Sequence, residues 1–162
     1  MNKRRWRLVI LAAIILTVAF TMQFREKNKE AAISAILDQA SQIDSIELFK
    51  GEQSIIRLTG EDATTNREKY PLSHVRNLSK KERAIFEEEP AYRIVYNIKD
   101  KTLYEVDILK VAISSELSEE LKQMVFHVGD QQYLIYWANE RKALEQSTST
   151  QLLLEQYGKL RG

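Results

Sequence analysis

The 162-residue chain contains no cysteine. That excludes disulfides, thiolate metal sites, iron–sulfur clusters, cysteine nucleophiles and lipid attachment through a cysteine, and it is compatible with oxidising and reducing surroundings alike. Glycine and proline are scarce, at 5 and 2, and no tract is dominated by one residue type. Collagen-like and wholly disordered classes are therefore excluded. Histidine is nearly as rare, with only His74 and His127. With no HExxH or HxH spacing, a zinc site would need both histidines plus carboxylates from distant segments. His127, flanked by Phe126 and Val128, projects opposite to them on a strand, which is a rim position. His74 lies in a loop beside Pro71.

The usual catalytic signatures are missing too: no Gly-x-Ser-x-Gly elbow, no phosphate loop and no calcium loop with its central glycine. The acidic run Glu87-Glu88-Glu89 reads as a solvated helix end, because adjacent helical residues point in different directions. No catalytic residue, cofactor or metal ligand is assigned. Asn77-Leu78-Ser79 matches a glycosylation sequon, but Ser79 is better used as a helix cap.

Net charge is small, at +1, yet it is unevenly placed. Lys3, Arg4, Arg5 and Arg7 open the chain with no acid before Glu26, and residues 8–162 carry 20 basic and 23 acidic groups, a net of −3. The body of the chain is thus no polyanion binder, and nucleic acid is excluded as a partner.

What is present is strongest at the start. Residues 8–24 carry no charge, and 17 helical residues span about 25 Å against a hydrocarbon core of roughly 30 Å. A charge at the bilayer centre costs about 2.5–3.5 kcal/mol on insertion scales, so Arg7 and Arg25 mark the ends of this segment and Trp6 falls at an interface. The undiluted basic run on the N-terminal side predicts a cytoplasmic N-terminus and a domain outside the membrane. The organisation expected is a short cytoplasmic tail over 1–7, a transmembrane anchor over 8–24 and an extracytoplasmic domain over 25–162. A cleaved signal peptide is the competing reading, with Thr17-Val18-Ala19 as the site, and it exports the same domain for secretion.

Within the domain, Ala32, Ile33, Ile36, Leu37, Ala40 and Ile43 recur at helical spacing over 25–42. The stripe is barely two heptads, short of a coiled coil, and leaves homo-oligomerisation open. Residues 45–49 and 54–59 form a predicted hairpin around Lys50-Gly51-Glu52, followed by a loop over 60–69. Ser79-Lys80-Lys81-Glu82 is a capping box opening a short helix through Ala84, Ile85 and Phe86 that Pro90 ends. Tyr92, Ile94, Tyr96 and Ile98 alternate with polar neighbours. After Asp100-Lys101, Tyr104, Val106 and Ile108 do the same, predicting a second hairpin. Residues 115–121 suggest a short helix or turn, 124–128 and 131–137 flank a Gly129-Asp130 turn, and 139–160 reads as a helix that Ser147 to Thr150 divides. The fold class is α+β, a mainly antiparallel sheet with helices on one face.

The function expected is that of a single-pass, membrane-anchored protein of the cell envelope whose outer domain binds or scaffolds an envelope protein, with open strand edges available for β-addition. Tyr136 and Trp137 are the candidate partner contacts, taken from an aromatic concentration that also includes Tyr92, Tyr96, Tyr104 and Tyr133. The alternatives are a cell-surface hydrolase using the same-face carboxylates Glu105 and Asp107 on an envelope polymer, or a sensor subunit of a membrane complex.

Overall fold

The computed structural model describes residues 3–66, 75–85, 89–112, 117–140, 142–144 and 148–158. His74, Phe86, Glu87, Glu88 and Ser147 therefore lie outside the described residues. Two compact units are present, residues 1–36 and 37–162.

The first unit is built on helix α1, Lys3–Asp38, which runs without a break through the uncharged stretch and the predicted amphipathic helix behind it. Its described side chains begin at Ile10. From there to Phe24, nine large apolar side chains are 47% to 72% exposed, the extremes being Ile10 and Phe20. Thr17 and Thr21 turn their hydroxyls back to the carbonyls of Ala13 and Thr17, one turn earlier. Among the described residues, no helix is long and apolar enough to cross a membrane.

The second unit is α+β. After a 3-10 turn over Gln39–Gln42, an eight-stranded antiparallel sheet forms: β1 Ser45–Lys50, β2 Gln53–Thr59, β3 Val75–Asn77, β4 Tyr92–Ile98, β5 Lys101–Val111, β6 Phe126–Val128, β7 Gln131–Trp137 and β8 Lys142–Leu144. The strand order is β2-β1-β4-β5-β7-β8-β3, and β6 pairs with the first half of β7 while β8 pairs with its second half. Four short helices complete it: α2 Gly60–Asn66, α3 Lys80–Ile85, α4 Glu119–Met124 and α5 Thr148–Tyr157.

Period-two alternation puts Ile46, Leu48, Ile94, Tyr96, Tyr104, Val106, Ile108 and Ile135 on one face, all buried. Leu37, Ala40 and Ile43 at the start of the unit, Ala63 of α2 and Leu153 and Leu154 of α5 complete the buried set. The opposite face is apolar over only part of its area. From Leu109 onward β5 buries that side as well, and Leu109, Val111, Leu134 and Ala143 form a second core with Leu78, Leu117 and the α4 residues Leu121 and Met124. Helices thus pack on both faces, not one. The remaining half of the second face carries Arg57, Glu47, Val95, Arg93, Glu105 and Asp107 and is polar.

Other expectations are corrected. The predicted loop over 60–69 begins with α2, a helix that buries only Ala63 and so shows no apolar period. Its ends are held by Thr64, Thr65 and Asn66 side chains that donate to carbonyls four residues back. The turn between β4 and β5 is Lys99-Asp100, both with positive φ of 50° and 60°, and Lys101 already belongs to the strand. The helix predicted over 139–160 is a short 3-10 turn, then β8, then α5. Three residues of β8 are too few for a period to show, and the strand exists because β7 and β3 flank it.

Candidate functional site

A cleft of about 340 Å³ opens where the β6–β7 turn meets the end of α5, lined by Tyr92, Val128, Gly129, Asp130, Gln131, Tyr133, Leu154 and Gly158. Local sequence explains each wall. Gly129 takes a φ of +59°, the left-handed value a two-residue turn requires, and sets Phe126 opposite Tyr133. Asp130 follows it and is exposed. On the other side, Leu153 and Leu154 anchor α5, and Gly158 ends it by donating its N–H to the Leu154 carbonyl at 2.9 Å. A side chain at Gly158 would bring its Cβ to 2.6 Å from that carbonyl oxygen, so glycine is required by close approach.

Two tyrosines join these parts. Tyr92 O–H donates to the Gly158 carbonyl at 3.1 Å, tying β4 to α5. The Tyr92 and Tyr133 rings lie 6.2 Å apart at 56°, and Phe126 supports Tyr133 from 5.9 Å. Burial pushes the Tyr133 phenol above its ordinary value, with the neighbouring Tyr92 adding to the effect, so it stays neutral. Among the described residues, no basic side chain lines the cleft, and the last turn of α5 carries none.

The candidate contacts Tyr136 and Trp137 are not brought together, because successive strand residues face opposite ways. Trp137 is 2% exposed and packs against Tyr104, the ring centroids 5.4 Å apart, which removes it from the surface. Tyr136 is half-buried against the second core. Glu105 and Asp107 share the open face as their parity requires, but Asp107 is ion-paired with Arg93 at 3.0 Å, and both acids act on that same guanidinium. His127 is exposed, with its Nε2 3.0 Å from the Gln132 amide. Among the described residues, no three His, Asp or Glu side chains gather to hold a metal ion.

The most elaborate polar cluster is a staple. The capping box forms as read, Ser79 N–H donating to Glu82 at 2.8 Å and Glu82 N–H to the Ser79 hydroxyl at 3.3 Å. Glu82 also accepts from the Ser118 hydroxyl at 2.8 Å and from Arg76 at 3.1 Å, while Arg76 reaches Ser118 and Glu120. Burial by itself raises the Glu82 carboxyl. The Ser79 N–H, the Ser118 and Ser79 hydroxyls and the Arg76 charge together outweigh it and bring the group to about 2. A fully satisfied carboxylate of this kind holds structure together and is not poised for chemistry.

Sequence reasoning singled out Tyr92, Tyr133 and the Gly129-Asp130 turn separately but not the cleft, since its walls come from β4, the β6–β7 hairpin and the end of α5. Compared with known proteins, the chain matches no family model, no curated protein and no solved structure.

Proposed function

We propose that the chain is a single-pass, membrane-anchored protein of the cell envelope whose extracytoplasmic domain binds or scaffolds a partner protein. One observation carries the anchoring: nine large apolar side chains stand exposed on α1 between Ile10 and Phe24, interrupted only by small residues, Thr17, Thr21 and Gln23. Monomeric soluble proteins rarely leave so continuous an apolar surface in water. Leucine, isoleucine, valine and phenylalanine each favour the bilayer centre by about 0.3–0.6 kcal/mol, and lipid is a cover that suits a helix apolar all round. Residues 10–24 alone extend about 22 Å, and Leu8 and Val9 in the sequence bring the uncharged stretch to about 25 Å, the short end of what spans. The back-bonded hydroxyls of Thr17 and Thr21 lower the cost of taking them out of water.

A binding role for the domain draws support from the half-face around Arg57, Val95 and Arg93 and from β2, which among the described residues has a strand partner on one side only. The test is membrane fractionation of the full chain with a reporter after Gly162. The proposal expects resistance to alkaline extraction and reporter activity outside the cytoplasm. Release into the alkaline supernatant, or a reporter active only in the cytosol, would overturn it.

A further inference from the structure

We propose that the cleft between the β6–β7 turn and the end of α5 binds an organic ammonium group. The claim rests on the second unit alone and is independent of membrane anchoring. Four features converge on a cation. Asp130 places a carboxylate at one wall. At the other, Leu154 and Gly158 lie at the C-terminal end of a ten-residue helix, the partially negative end of its dipole, although their carbonyls already accept from the Gly158 N–H and the Tyr92 O–H. Between them stand the rings of Tyr92 and Tyr133, both lining the cleft and inclined at 56° to each other, and aromatic rings attract positive charge through their faces. Val128 and Leu154 add apolar surface for the carbon substituents of an ammonium. An anion would meet the Asp130 charge and the helix end, with no cation among the described lining residues to receive it. Lys110, opposite Tyr133 in register, is exposed and not part of the lining.

The full chain, kept in a nonionic detergent, can be titrated with choline while the Gly129 and Gly158 amide resonances are followed. Its neutral isostere 3,3-dimethylbutanol serves as control, and lysine amide tests a primary ammonium, separating a headgroup source from a side-chain source. Choline is expected to bind saturably in the millimolar range, and the isostere not to saturate. Asp130→Asn should weaken choline about threefold or more without changing the fold. Equal binding of the isostere, or unchanged affinity in D130N, would overturn the proposal. Lys159 and Arg161 follow the cleft in sequence. A chain with both changed to Gln should bind choline as the parent does, whereas a tenfold gain would identify the chain's own tail as the occupant and refute an external ligand.

Discussion

Glu82 is the residue on which most local structure depends. Its carboxyl sits at about 2 in the fold against an ordinary 4.5, so the stability it contributes is complete above about pH 4.5 and is lost as pH falls toward 2. The amount is on the order of 3 kcal/mol. Glu82→Gln keeps the shape but leaves Arg76 facing an uncharged amide, and we expect a loss of about 2 kcal/mol in urea denaturation at pH 7. Between pH 5 and pH 2.5 the variant should lose less stability than the parent, and equal losses would refute the assignment. Half of this site was legible: Ser79 and Glu82 are three residues apart and announce a cap. Arg76 and Ser118 were not, because one lies on a strand too short to read and the other is 36 residues from its partner.

At the scale of elements, the Lys99-Asp100 turn is the most improvable. Both residues hold positive φ, a conformation that costs a side-chain-bearing residue of order 1 kcal/mol and that Asn-Gly adopts readily. Asp100 pairs with Arg57, but both are well exposed and such a bridge contributes little. Lys99→Asn with Asp100→Gly should therefore raise stability by about 1 kcal/mol, measured as a higher thermal midpoint. The opposite holds for α4, six residues that cannot persist alone and are kept by burial. Leu121 is fully buried there, and Leu121→Ala should cost about 3 kcal/mol by denaturant titration. Strands β1, β2, β4, β5 and β7 were readable because each runs at least six residues and carries a run of β-forming apolar residues. By contrast, α2 buries a single alanine, and β3 and β8 owe their pairing to each other and to β7. The second core escaped notice because β5 changes from one-sided to two-sided burial at Ile108-Leu109, which reads in sequence as a broken alternation.

For the whole molecule, the proposed anchoring rests on the apolar stretch of α1, and a single charge tests it. Leu16 lies mid-stretch and is 70% exposed, so Leu16→Arg disturbs no packing within the protein. In a bilayer it would cost about 2.5–3.5 kcal/mol of insertion free energy. The variant should shift measurably from the membrane pellet to the soluble fraction, and an unchanged distribution would argue against lipid as the cover. The strand order has a further effect, on the timing of assembly. Neighbours β2, β1, β4 and β5 are drawn from the first part of the domain and can zip together early. Asn77 instead meets Lys142, 65 residues downstream. A polypeptide delivered amino end first consequently waits with one sheet margin unfinished until Leu144 arrives, and over that interval its exposure to stray strand pairing is greatest.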